Sequence, residues 1–310
     1  MTTLLVANTG GHLTQLHSLL RRLPVEDRVW VTLDGPQSRS LLAGEKAVYL
    51  TYPRARNVFH VARNTALALR RLPQRGVDQV ITTGASLALS VLPPYALRGI
   101  PCHYIESATR VDGPSSSGRL LSRVPGIRLY TQHETWADAR WRYSGTVLDG
   151  YRATPTGSRP VRKVVVTLGS SEGYPFRRPL ERLLEILPEG VEVLWQTGST
   201  PVDGLPLTAT PSMSSEALNA AIRDADVVVA HAGTGSTLTA LANGKMPLLL
   251  PRLISRGEHV DDHQTQIAAM LEERGLAVVR DAGTVEWSDL EHAAAHEVSL
   301  SATTPFALRN

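Results

Sequence analysis

The sequence predicts an α/β protein of two doubly wound, Rossmann-like domains, and three observations carry that prediction. Short β-branched apolar runs such as "QVITTG" and "DADVVV" alternate with helix-length stretches along the chain, the pattern of repeated βα units around a parallel sheet. At 310 residues the chain exceeds one average domain and suffices for two that each bury a core. Both halves also contain a strand leading into a glycine turn beside a histidine, "LLVANTGGH" and "VVVAHAGTG".

Taken in order, the first domain (residues 1–150) opens with the strand "TLLVAN" and a helix over 13–23. The strands "RVWVTL" and "AVYL" follow, then a helix over 58–72, the strand "QVITTG", a helix over 86–97 and the strand "PCHYIES". The stretch "ATRVDGPSSSGRLLSRVPG" has the Pro, Gly and Ser content of a loop, with a helical turn at 118–123. "DGYRATPTGSRP", residues 149–160, has no apolar period and is the best linker. The second domain (160–310) restarts with "KVVVTLGSSEG" and a helix over 178–187. It continues with "VEVLWQTG", a helix over 214–223, a strand over 226–230, a helix to 243 and "PLLLP". A helix over 260–274, the strand "LAVV" and a helix over 287–297 complete it.

Composition removes several classes. Hydrophobic residues at 42% with 20% charged residues fit a globular protein, and the lone Cys102 excludes a disulfide framework or a multi-cysteine zinc site. No run approaches the ~20 apolar residues of a membrane helix, and "MTTLLVANTGG" lacks the positive start of a signal peptide, so a cytoplasmic location is expected. Residues 1–155 hold 19 Arg and Lys against 10 Asp and Glu, and residues 156–310 hold 13 against 19. The halves are thus +9 and −6. The basic half is either a plain solvated surface or the partner of an anion, such as an acidic lipid face or a pyrophosphate. Nucleic acid is not expected, because the basic residues are dispersed and few aromatics lie among them.

The sharpest chemical signal is "AHAGTGSTLTALANGKMPLLLPR", residues 230–252. Gly233 and Gly235 turn the chain after a buried strand, and Thr234, Ser236 and Thr237 offer caps for the next helix. Its exposed first-turn N–H groups make an anion site, so a phosphate-bearing ligand is predicted. "LGSSEG" presents Gly169, Ser170 and Ser171 at the second domain's first strand-to-helix turn. Neither loop is a P-loop with its Lys or a G-x-G-x-x-G, so ATPase and NAD readings lose support. Asp224 and Asp226 read as a helix end and a strand start at the edge remote from ligands, rather than a metal-binding pair; no metal and no cofactor are expected. In "GEHVDDHQTQIA" the spacing of His259, Asp261, Asp262 and His263 offers no clear metal-ligand set. With Gln264 they serve as caps or as hydrogen-bonding groups for a polyol. His12 is a helix-start residue or a base, and Glu106 is a base or the cap of the Ser107 turn.

The motifs "AHAGTGS", "GKMP" and "DDHQ" resemble the catalytic half of the two-part Alg13/Alg14 N-acetylglucosaminyltransferase and, more distantly, the MurG glycosyltransferases of family 28. "NTGGH", "TTGAS", "YIESATRVDGPSSSGRLL" and "RLYTQ" resemble the Alg14-type acceptor half and its bacterial exopolysaccharide relatives, so the resemblance covers nearly the whole chain. It implies a GT-B architecture with a ligand cleft between the domains, a UDP-sugar donor on the C-terminal domain, an acceptor on the N-terminal domain and inversion at the anomeric carbon. On this chain it implies donor contacts from Gly169, Ser170, Gln196, His231, Gly233, Thr234, Gly235 and Ser236, with Asp261, His263 and Gln264 on the hexose. Gly10, Gly11 and Arg110 stand on the acceptor side, and His12 or Glu106 is the base. Two departures are Ala240, where relatives carry a carboxylate for the ribose, and Asp262, where they carry asparagine. The transferred sugar is N-acetylglucosamine, with glucose and glucuronic acid as alternatives. The acceptor is a lipid-pyrophosphate-linked sugar or a soluble small molecule. With no membrane helix, bilayer contact is peripheral, at the inner membrane face. The rival readings are a UDP-sugar 2-epimerase and a non-catalytic recruiting module.

Overall fold

The valine-rich runs "KVVVT" and "VVVA" form the strand pair at the middle of the second sheet, as strands covered on both faces require, and "TTLLV" and "VDQVIT" form the pair at the middle of the first. The computed structural model describes residues 2–50, 58–73, 75–169, 174–259 and 261–308. They divide into two compact units, 1–149 with 303–310, and 150–302.

The first unit runs β1 (Thr2–Val6), α1 (Gly11–Leu19), β2 (Asp27–Leu33), α2 (Pro36–Leu41), β3 (Ala47–Leu50), α3 (Val58–Arg71), β4 (Val77–Thr82), α4 (Ser86–Ala96), β5 (Cys102–Ile105), α5 (Ser116–Leu121), β6 (Ile127–Thr131) and β7 (Trp141–Tyr143). Its sheet has the order β3-β2-β1-β4-β5-β6-β7, parallel throughout. The core includes Leu4, Val6, Val31, Leu33, Val80, Leu87 and Val91, all fully buried.

The second unit runs β8 (Tyr151–Pro155), β9 (Lys163–Thr167), α6 (Arg178–Ile186), β10 (Glu192–Gln196), β11 (Ala209–Thr210), α7 (Ser215–Asp224), β12 (Val227–Ala230), α8 (Thr234–Ala242), β13 (Leu248–Leu249), α9 (His263–Glu273), β14 (Val278–Val279), α10 (Trp287–Ala294) and β15 (His296–Leu300). Its main sheet, β11-β10-β9-β12-β13-β14, is also parallel. In each sheet the strand order reverses once, at β1/β4 and at β9/β12, and the crevice at the carboxyl ends of such strands is where open α/β sheets bind ligands.

Three expectations are corrected. The stretch 149–160 contains β8, which pairs antiparallel with β15 from Tyr151–Leu300 to Pro155–His296. The last helix stops at Ala294, because the chain must extend at His296 to make that pairing. The final residues leave the second unit: Phe306, 1% exposed, packs against Tyr130, its N–H donates to Arg22 O at 2.8 Å, and Arg22 Nε donates to Thr304 O at 2.9 Å.

Candidate active site

In the first unit, β1 ends and Gly10 turns the chain at φ 88° into α1, its amide donating to Gln37 Oε1 at 2.7 Å. The turn delivers His12 to the β1/β4 switch point. His12 Nδ1 lies 2.7 Å from Thr83 O, and Thr83 Oγ1 donates to His12 O at 2.7 Å. A carbonyl only accepts, so the proton sits on Nδ1 and the lone pair of Nε2 is left to act as a base. Burial holds the His12 pKa below the usual imidazole value. The Thr83 hydrogen bond opposes that shift and the Arg110 guanidinium adds to it. The imidazole is therefore neutral at pH 7.

Glu106 is placed differently. Its carboxylate is 1% exposed and accepts from Ser115 N (2.9 Å), Ser115 Oγ (3.0 Å), Ser107 N (3.1 Å) and Tyr104 Oη (3.3 Å). A Cβ at Gly118 would overlap its Oε2, so the glycine there makes room for the carboxylate. Burial raises the Glu106 pKa ahead of the opposing hydrogen bonds from Ser115 and Ser107. Four donors aimed at one buried carboxylate make it the anchor of the loop 107–118. Buried Gln15 and Gln132 extend that anchorage: Gln15 Nε2 donates to Ser107 Oγ at 2.9 Å, Gln15 Oε1 accepts from Ala108 N at 2.9 Å, and Gln132 Nε2 donates to Glu106 O at 2.9 Å. Trp136 Nε1 donates to Arg110 O at 3.0 Å, fixing the backbone of the residue whose charge acts on His12, Tyr104 and Glu106.

The second unit repeats the device across its own switch point. His231 follows β12, and its Nδ1 lies 3.2 Å from Thr167 O at the end of β9, so Nδ1 again carries the proton. Burial, then the Arg252 guanidinium, pushes its pKa down to about 3. The ring fills the space between the two glycine turns. A Cβ on Gly169 would stand 2.5 Å from its Cε1, and one on Gly233 would overlap Nε2. This corrects the sequence reading of Gly233, whose φ of −75° any residue adopts; the left-handed residue of the turn is Ala232, at φ 58°. Ala85, after β4 in the first unit, is the other described non-glycine residue at positive φ (69°). Such strain, roughly 1–3 kcal/mol at each residue, clusters at functional turns.

The expected caps of α8 are also corrected. Gly233 is the cap residue and makes no side-chain cap, Ser236 Oγ donates to Gly233 O at 3.0 Å, and Thr237 Oγ1 is buried with no hydrogen-bond partner among the described residues. Among the described residues no side chain caps the first-turn amides of Thr234, Gly235 and Ser236, which suits them to an outside acceptor. Gln196 is turned into the protein: Oε1 accepts from Thr167 Oγ1 at 2.5 Å and Nε2 donates to Pro211 O at 3.2 Å. Ser170 lies outside the described residues.

Arg252 is the residue the sequence reading missed. It follows β13, is fully buried, donates to Leu168 O (2.9 Å), Tyr174 O and Glu258 O (3.4 Å), and stacks over Phe176 at 4.7 Å. Its Nε has no partner and no carboxylate pairs with it among the described residues. Burial lowers its pKa to about 10, which still leaves the charge in place at pH 7. Gln264 Oε1 accepts from Arg252 N at 3.1 Å, which ties α9 to this loop. Beside it, Asp261 accepts from His263 Nδ1 and lies 3.2 Å from His259 Nδ1. Sequence spacing offered no ligand set there, yet the fold gathers the three side chains.

Asp226 accepts from the amides of Arg162 (2.7 Å) and Lys163 (2.8 Å), and Asp224 pairs with Lys163 Nζ at 2.8 Å, both at the amino ends of the strands. A hollow of about 250 Å³ lined by Lys163, Glu192 and Asp224 opens at that same remote edge and contains none of the candidate residues.

Residues 163–285 match the glycosyltransferase family 28 C-terminal domain. Two curated relatives carry the name UDP-N-acetylglucosamine--N-acetylmuramyl-(pentapeptide) pyrophosphoryl-undecaprenol N-acetylglucosamine transferase. The one from a Synechococcus species is 28% identical over 312 aligned positions, covering 90% of this chain and 83% of the relative. The one from Thiobacillus denitrificans is 26% identical over 274, covering 81% and 70%. Among solved structures, MurG of Acinetobacter baumannii superposes with a TM-score of 0.56 at 20% identity, over 94% of this chain and 89% of that one. The glycosyltransferase SnogD from Streptomyces nogalater gives 0.57 at 18% identity, over 95% and 91%. The fold is that of the GT-B glycosyltransferases, two Rossmann-like domains.

Proposed function

We propose that the chain, a MurG-like glycosyltransferase of the family 28 type, moves a hexosyl group from a UDP-sugar to a hydroxyl on a lipid-pyrophosphate-linked acceptor, with inversion and without a metal. N-acetylglucosamine is the favoured sugar because both curated relatives are named for it. The observation that carries the reading is the α8 turn within the matched domain: first-turn amides that no side chain caps among the described residues, a neutral His231 and the buried Arg252 charge all suit a diphosphate.

In the proposed reaction the His12 Nε2 lone pair takes the proton of the acceptor hydroxyl. The oxygen attacks the anomeric carbon from the face opposite the leaving group, and the glycosidic C–O bond breaks. The departing UDP phosphate takes the electron pair, with its charge stabilised by the α8 amides and the field of Arg252. Asp261, His263 and Gln264 hold the hexose, and Gly10, Gly11 and Arg110 serve the acceptor. Glu106 fixes the loop that carries Arg110. Leu97 and Leu120 are exposed at α4 and α5, with Arg98, Arg119 and Arg123 beside them in sequence, and this supports peripheral contact with an anionic membrane.

The test is product analysis with UDP-N-acetylglucosamine, UDP-glucose and UDP-glucuronic acid, each with and without a polyprenyl-pyrophosphate sugar acceptor. Transfer only in the presence of acceptor supports the reading. Conversion of the UDP-sugar without acceptor replaces it with the 2-epimerase, and binding without turnover replaces it with a recruiting module.

A further inference from the structure

The turn entering α9 brings three side chains of two ligand types, imidazole and carboxylate, to one point. Ring nitrogens of His259 and His263 and a carboxylate oxygen of Asp261 lie within 4.8 Å of one another. The His259 Nδ1–Asp261 Oδ1 separation is 3.2 Å, and the His263 Nδ1 touches the same oxygen. With bond lengths of about 2.0–2.2 Å, two ligands of one tetrahedral zinc ion stand about 3.3–3.6 Å apart, so a small outward movement of the His263 ring brings its separation from Asp261 into that range. The two rings are 4.5 Å apart at 85°, an arrangement in which both point a nitrogen toward Asp261 instead of stacking face to face. The Tyr174 ring packs against His259 with centroids 5.9 Å apart.

We propose that His259, Asp261 and His263 form a binding site for one borderline divalent cation of the Zn²⁺, Co²⁺ or Ni²⁺ class. Two imidazoles and one carboxylate suit those ions over Mg²⁺ or Ca²⁺, which take oxygen ligands. Three protein ligands leave at least one position for water or a substrate oxygen, the open arrangement of an exchangeable site. The ion plays no part in the transfer chemistry. Its consequence for turnover rests on the donor reading above: because Asp261 and His263 are the proposed hexose contacts, a bound ion competes with the donor sugar.

The probe is Co²⁺, and then Zn²⁺, titrated into untagged, chelator-stripped full-length protein. Visible Co²⁺ absorption and calorimetry are expected to show one equivalent bound. His259→Gln and Asp261→Asn are each expected to weaken binding at least about 10-fold, with circular dichroism confirming that the variants are folded. His259→Gln is expected to keep UDP affinity. Absence of binding by the wild-type protein, or binding unchanged in His259→Gln, overturns the proposal. If Zn²⁺ binds and is lost in His259→Gln, but raises no KM for the UDP-sugar, the cation site stands and the assignment of Asp261 and His263 to the hexose falls.

Discussion

His12 and His231 each bridge the switch point of their own sheet through Nδ1 and a strand-end carbonyl, and their surroundings give them different work. His231 is wedged between Gly169 and Gly233 and is held neutral far below physiological pH, so it suits shaping the turn. His12 is partly exposed, with its Nε2 lone pair unspent, so it suits the base. His12→Ala is expected to lower turnover on the order of 10²-fold or more with UDP affinity nearly unchanged. Because the folded-state pKa is lowered, the protonated, inactive form accumulates only below the ordinary value of about 6.5. The acid limb of the wild-type pH–rate profile should therefore lie below that value and vanish in the mutant. Near-normal turnover would make His12 a helix-start residue. Glu106→Gln separates the other candidate: replacing an acceptor by a group that also donates, opposite four donors, should cost roughly 1–3 kcal/mol of stability and lower turnover in step. Lost turnover with unchanged denaturation would make Glu106 the base. Both residues were legible as candidates because His12 follows the glycine turn after β1 and Glu106 follows β5 beside Ser107. The steric reason for Gly233 was not, because it depends on where the His231 ring turns. Arg252 was hidden because nothing in "PLLLPR" separates a buried guanidinium from a surface one; its one signal is an arginine directly after a buried strand.

At the scale of elements, α8 bears the donor hypothesis. Its amide ring is presented by an extended Gly233 and a left-handed Ala232, and Thr239 Oγ1 donates to Gly235 O at 2.7 Å, keeping that hydroxyl inside the helix. Gly235→Leu is expected to abolish UDP binding by calorimetry while circular dichroism stays unchanged, because the side chain projects where phosphate meets backbone. Unchanged affinity would remove the diphosphate from this turn. Most parallel strands of both sheets were readable, since continuous apolar runs need only local sequence, whereas β6, β7 and β11 were not read as strands. β8 and β15 were not: "YRATP" and "HEVSL" are short and half polar, and each is a strand only because the other pairs with it from across the second unit. The alanines before His296 favour a helix as far as local propensity reaches, and the extended pairing overrides them.

For the whole molecule, the first question is whether chemistry depends on an ion. The proposed leaving-group stabilisation comes from amides and a guanidinium, so excess EDTA is expected to leave turnover unchanged, or to raise it if zinc was carried on the α9 turn. Arrest by EDTA with rescue by Mg²⁺ or Mn²⁺ would reverse that assignment. The second question is why the C-terminal residues do not stay with the unit that precedes them. After β15 the chain carries Phe306 into the first unit, where it is edge-on to Tyr130 at 5.8 Å and lies under the Arg22 guanidinium at 5.9 Å. Arg22 is itself fixed by Thr146 O at 2.6 Å and Asp149 Oδ2 at 3.0 Å, so the aromatic ring packs between a held guanidinium and Tyr130. Phe306→Ala removes a side chain that is almost fully buried, which should cost about 3–5 kcal/mol of first-unit stability in chemical denaturation. UDP binds residues of the second unit in the proposed reading, so its calorimetric affinity should survive the same substitution at temperatures where the protein is folded. A loss of stability below about 1 kcal/mol would mean that the tail rests on the first unit without holding it together.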